Sequence, residues 1–136
     1  MKTTTATETR YGIGKSVALP YEQAIERTRD ALQREGFGIL TEIDVKATLK
    51  KKLDVDFRKY VILGACNPPL AYQGFQAEPD IGLLLPCNVI VYEEDPARSR
   101  VAMLDPLVQL SITGRKDIEP LAREARERLE RALAAI

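Results

Sequence analysis

The chain has no histidine. That removes the usual proton shuttle near neutral pH and the commonest metal ligand, and it excludes serine–histidine and cysteine–histidine catalysis within one chain. Charge of one sign is also lacking, with 20 Lys and Arg against 20 Asp and Glu, so no bulk field favours nucleic acid or an anionic membrane. Long apolar runs are missing. Leu83-Leu84-Leu85 falls far short of the roughly 20 residues that cross a bilayer. No Walker-type loop occurs, and Gly12-Ile13-Gly14 lacks the rest of the dinucleotide-binding glycine pattern. Met1 to Arg10 is threonine-rich and polar, without the apolar stretch of a signal peptide. The expected setting is cytoplasmic, with reduced thiols, no membrane and no nucleic-acid partner.

What is present suits one α+β domain. A chain of 136 residues buries a core without disulfide or metal staples. Residues 1–10 read as a polar segment whose β-branched threonines extend a first strand at Tyr11 to Leu19; residues 11–136 form the domain. Pro20 suits the first position of a helix whose Tyr21, Ala24, Ile25, Thr28 and Leu32 recur at helical spacing, with Gly36 as a left-handed cap. Phe37 to Ile43 reads as the second strand. Asp44 caps a short helix to Leu53 that places Val45, Leu49 and Leu53 on one face. Arg58 to Ala65 is a third strand, Val89 to Tyr92 a fourth and Val101 to Leu104 a fifth, with a polar turn from Glu93 to Ser99.

Between the third and fourth strands lies a helical excursion. Asn67 caps a helix starting at Pro68 or Pro69 and ending near Ala77, and Asp80 to Leu85 adds another turn before Pro86. Pro106 to Gly114 fits a short helix or extended chain. The last helix carries an apolar stripe of Ile118, Leu121, Ala122, Ala125, Leu129, Leu133 and Ile136. Its outer face is expected to pair Glu119 with Arg123, Glu124 with Arg128 and Glu127 with Arg131. The order is β-α-β-β-β-β-α with a helical excursion between the middle strands, and a largely antiparallel sheet covered by helices.

The two cysteines stand at the ends of that excursion, each followed by asparagine and close to proline: Cys66-Asn67-Pro68-Pro69 and Pro86-Cys87-Asn88. If the flanking strands are neighbours, both thiols reach one end of the sheet. A thiol beside a helix N-terminus is expected to favour thiolate, and asparagine amides can donate to sulfur or to a ligand. Cys66, Asn67, Cys87 and Asn88 are therefore candidate ligand-binding residues, and the two cysteines are the candidate ligands for any soft metal. The spacing is unlike that of zinc ribbons or redox pairs, and a cysteine beside an apolar strand also serves as packing. Glu42 and Asp44, two apart at a strand end, and Asp105 before Pro106 are further candidates; Asp44 as a helix cap and Asp105 as a turn former are the simpler readings. Tyr72 could cover the pocket from the inserted helix, although an amphipathic tyrosine on a helix needs no such role.

Three blocks carry a resemblance: Gly36 to Val45, Ile62 to Pro68 and Gly82 to Val89. Together they resemble the family catalogued as domain of unknown function 302, over about Tyr11 to Ile136. The resemblance implies a TATA-binding-protein-like α+β fold and a homodimer, and it supplies no reaction or catalytic residue. Fold alone does not imply DNA binding.

The leading expectation is a small soluble binding domain whose Cys/Asn pocket takes a small molecule, a soft metal or a reactive sulfur species; the cofactor is left open. The alternatives are a thiol-dependent enzyme using Cys66 or Cys87, and an interaction module in which the cysteines are structural.

Overall fold

A computed structural model describes residues 9–136. Strand β1 (Gly12–Val17) leads into helix α1 (Tyr21–Arg34), then β2 (Gly38–Asp44), α2 (Val45–Leu53), β3 (Tyr60–Cys66) and α3 (Pro68–Ala77). A 3-10 helix (Pro79–Leu84) follows, then the hairpin β4 (Cys87–Asp95) and β5 (Arg98–Leu104), the short α4 (Pro106–Ser111) and the long α5 (Glu119–Ala134). The strands form one sheet in the order β1-β5-β4-β3-β2, and every neighbouring pair is antiparallel. The expected extension of the first strand into the threonine-rich segment lies outside the described residues.

Register explains the core. Val61, Val91 and Val101 stand opposite one another across β3, β4 and β5, and Leu63, Val89 and Met103 form the next row on the same face. All six are buried. Alternate residues of each strand point to one side, so these rows make a continuous apolar floor. Helices α1 and α5 pack on it with Ala24, Ala31 and Leu32 from the first and Ala122, Ala125, Leu129 and Ala132 from the second. Alanine at most of these positions lets the helices approach closely. Thr28, buried among them, donates its hydroxyl to the Ala24 carbonyl at 2.7 Å, which satisfies the one polar group on that stripe.

Gly36 adopts a φ of 86° after α1, the left-handed position expected of it. Several boundaries and contacts differ from the sequence reading. β4 and β5 run on through most of the expected polar turn, because their ladder continues to Glu93–Ser99 and, past a bulge, to Asp95–Arg98. Residues 106–111 are helical, with the Asp105 carboxylate accepting from the Leu107 N–H at 2.9 Å. α2 forms as expected, capped by Asp44, yet none of its residues is buried. On α5, Glu119–Arg123 and Glu124–Arg128 pair at 2.8 and 2.7 Å. Arg131 instead reaches the Glu35 carboxylate at 3.0 Å, tying α5 to the end of α1; no ion pair joins it to Glu127 among the described residues.

This arrangement separates core from surface quantitatively. Leu63→Ala is expected to cost about 2–5 kcal/mol, read as a lower urea midpoint at unchanged slope. Glu127→Ala should stay within about 0.5 kcal/mol of the parent. A larger effect at Glu127 would show that Arg131 is shared between the two carboxylates.

Candidate functional site

Strands β3 and β4 are neighbours, and Ala65 stands opposite Cys87. The chain therefore leaves the sheet at Cys66, runs through α3 and the 3-10 helix, and returns to the same edge of the rim at Cys87. Both thiols line one cavity of about 320 Å³. Its wall is mainly apolar, with Phe37, Leu70, Phe75, Ile81 and Leu121 prominent. Both cysteines are free and half-buried.

Gly64 shapes one side. A Cβ there would lie 2.2 Å from Thr41 Oγ1 and 2.9 Å from Pro86 Cγ, so only glycine lets those two residues close over β3. Both of them line the cavity.

Asn67 is buried, lines the cavity and is hydrogen-bonded at both ends of its amide. Its Oδ1 accepts from the Leu70 N–H at 3.3 Å and its Nδ2 donates to the Glu35 carbonyl at 3.4 Å. It caps α3 and ties that helix to the end of α1. The rest of the helix start is equally occupied. Pro68 and Pro69 have no N–H, and the Ala71 N–H bonds to the Asn67 carbonyl at 2.9 Å. No free amide remains in the first turn to stabilise an anion.

The thiols follow from this. Burial pushes the Cys66 thiol above its ordinary value. Burial, and secondarily the neighbouring charge of Cys66, pushes Cys87 up to about 11. The expectation that the helix start favours thiolate is thus overturned, because desolvation acts on both groups and α3 has no unspent N–H to oppose it. Both thiols hold their protons at neutral pH. The Cys87 thiol donates to Gln109 Oε1 at 3.4 Å, and Gln109 Nε2 donates to the Leu84 carbonyl. Gln109, buried on α4, thereby links the returning strand to the end of the 3-10 helix. As the lone polar side chain in Leu107-Val108-Gln109-Leu110, it carried a signal that the sequence reading did not use.

The other candidates stand apart. Asn88, next along β4, is exposed and lines a separate cavity on the opposite face of the sheet. Glu42 pairs with Arg29. Asp44 caps α2 by accepting from the Ala47 N–H at 2.9 Å, and neither acid lines the thiol cavity. Asp105 is buried and paired with Arg126, while its neighbour Pro106 contributes to the cavity wall. Tyr72 is exposed; Phe75, one turn further along α3, lines the cavity instead. Among the described residues, no group of three or more His, Cys, Asp or Glu is placed to hold a metal ion, and no helix is long and apolar enough to cross a membrane.

Chemically, this is an apolar chamber with two neutral thiols and few polar contacts. Such a wall suits the apolar body of a small molecule. A protonated thiol is a weak nucleophile and must lose its proton to bind a metal.

The family described as domain of unknown function DUF302 matches residues 13–136. Among solved structures, the chain is similar to an uncharacterized conserved DUF302 protein from Bacillus stearothermophilus, with 27% identity and a TM-score of 0.85. That likeness covers 93% of this chain and 98% of the other. No curated protein matches.

The thiol environment has a measurable sign. Alkylation of Cys87 by iodoacetamide in the native protein is expected to accelerate as pH rises towards about 11, well above the range of a free thiol. Between those two values the folded state keeps a proton that the unfolded chain loses. Stability is therefore complete below the unfolded pKa and declines as pH rises through the window. Cys87→Ala should flatten part of that decline relative to the parent; equal slopes would place the thiol in ordinary surroundings.

Proposed function

The chain belongs to the DUF302 family, and we propose that it is a binding domain for a small, uncharged molecule held at the sheet rim against Cys66 and Cys87. The observation that carries this reading is that both cysteines line a single apolar cavity of about 320 Å³, within the size range of small-molecule sites. Asn67 contributes by fixing the start of α3, which holds one wall in place. Gln109 does the same for Cys87.

The raised thiol pKa values weigh against the other occupants. A soft metal or a reactive sulfur species engages thiolate, so each would have to displace protons that burial retains. The same argument disfavours a thiol-dependent enzyme. The nearest polar partner of Cys87 is the Gln109 amide, which has no basic site to accept its proton.

Indole is a suitable neutral probe. At ten times its Kd it is expected to slow N-ethylmaleimide modification of both cysteines about tenfold, by occupying the cavity in nearly all molecules. Ala71→Trp, which fills the cavity from α3, should remove that protection. Unchanged modification rates in excess indole would refute a neutral ligand site; protection by silver ion alone would instead favour the soft metal.

We also propose that the domain forms a homodimer through the β2 edge. Among the described residues strand β2 has only β3 as a neighbour, and Ile43 on it and Leu53, Val55 and Phe57 of α2 and the following segment are exposed apolar residues. An edge strand with unpaired backbone groups beside apolar side chains is a template for a second copy of itself. Sedimentation is expected to give twice the mass of one chain, and Ile43→Lys with Leu53→Glu to give a single chain. A parent protein that sediments as one chain at high micromolar concentration would dispose of the dimer without touching the cavity.

A further inference from the structure

The face of the sheet opposite α1 and α5 holds a group that the thiol cavity does not use. Arg100 on β5 faces away from the core, since Val101 and Met103 point into it. Even so, it is only 6% exposed. Among the described residues its Nη1 is buried without a hydrogen-bond partner. A guanidinium cannot shed its proton in a protein, so the charge must be balanced by a partner or remain a liability.

The surroundings of Arg100 describe that partner. Register sets Tyr60 opposite Tyr92 and Tyr92 opposite Arg100, in one row across β3, β4 and β5. The two tyrosine rings stack at 5.3 Å between centroids and 9° between planes. The Arg58 guanidinium lies 5.3 Å from the Tyr92 ring centroid, a second positive charge at the same end. Arg100, Tyr60, Tyr92, Tyr11, Asn88 and Ile90 line a cavity of about 320 Å³. Burial, with the neighbouring phenols of Tyr92 and Tyr11, raises the Tyr60 pKa, so its hydroxyl remains a donor at neutral pH. Glu94 is exposed and accepts from the Ser16 hydroxyl at 2.8 Å. No ion pair joins it to Arg100 among the described residues.

We propose that this face carries a second binding site, independent of the thiol cavity, for a small organic carboxylate with an aromatic or aliphatic body. The carboxylate pairs with the buried Arg100 guanidinium, a geometry that the planar fork suits. The body lies over Ile90 and Ala102 beside the stacked tyrosines, and Asn88 offers amide contacts at the far end. Arg58 is exposed and does not line the cavity, so the one buried positive charge, Arg100, over an apolar floor matches a monoanion better than a phosphate with two negative charges. Asn88 thus has a place in the protein, on the face opposite Cys87.

An amide NMR titration with sodium benzoate at constant ionic strength tests this, with benzamide as the uncharged control. Benzoate is expected to shift the amides of β4 and β5 around Tyr92 and Arg100. Benzamide, and benzoate with Arg100→Gln, should each bind about tenfold more weakly or worse, the loss typical of a charge-assisted hydrogen bond. Arg100→Met should raise the thermal midpoint of the ligand-free protein, because it removes an unpaired buried charge, and should abolish the further rise that benzoate gives the parent. Equal binding of benzamide and benzoate, shifts confined to the thiol cavity, or full benzoate affinity in Arg100→Gln would each overturn the site. Failure of Arg100→Gln or Arg100→Met to fold would overturn it too, since the guanidinium would then be a structural element. None of these results bears on protection of the cysteines by indole.

Discussion

Antiparallel pairing of β3 with β4, with Ala65 opposite Cys87, is the constraint on which the rim depends. Neighbouring antiparallel strands usually join through a tight hairpin. Here α3 and the 3-10 helix intervene, so the excursion must leave and rejoin the sheet at one end. Its two junctions are therefore adjacent in space. Any residue at either junction becomes part of one chamber, whose opposite walls come from α3 and α5. Gly64 permits Thr41 and Pro86 to close over the strand, and the Asn67 amide locks α3 to the carbonyl end of α1. The cavity is a consequence of pairing and capping before it is a feature of the cysteines.

Two effects compete for the thiol protons, and their sizes decide the outcome. A helix start is worth roughly 0.3–1 kcal/mol to an exposed anion, and its strength comes from unspent N–H groups. The Asn-Pro-Pro start of α3 leaves none: two are absent, one goes to the Asn67 side chain and one to its carbonyl. Moving Cys87 from the ordinary 9.0 to about 11 corresponds to on the order of 3 kcal/mol. Desolvation wins. Sequence alone contained half of this argument, because Pro68-Pro69 announces the missing donors as plainly as it announces a helix.

The strands and helices were legible because their periods were unambiguous and their ends were punctuated: Pro20, Gly36, Asp44, Asn67 and Pro106 stand where the chain changes direction. Meeting of the two cysteine segments was legible as well, from the assumption that consecutive strands pair. What could not be read is what depends on register. Glu127 and Arg131 have the right helical spacing, but Glu35 is closer to Arg131 once α1 and α5 pack. The apolar face of α2 looks like a core face from its period alone, yet α2 stands at an outer strand, where the sheet offers too little surface to bury it. Arg100 was hidden by composition, since Glu93 to Ser99 looks like a polar turn. Only the extended ladder between β4 and β5 puts the arginine in the sheet.

Register also separates the two asparagines, each of which follows a cysteine. Asn67 follows Cys66 where β3 gives way to α3, so its side chain turns inward and caps a helix. Asn88 follows Cys87 within β4, so the alternation of a strand sends it to the opposite face. One dipeptide thus serves two geometries. At the rim its first copy builds the wall of a chamber with neutral thiols, and its second copy links that chamber to a cationic surface one residue away. A charge buried beside the thiols would need a counter-ion in the apolar chamber. Placing the only unpartnered buried side-chain atom among the described residues, Arg100 Nη1, on the other side of the sheet leaves the thiol chamber apolar. An uncharged chamber and a cationic face therefore share a single strand.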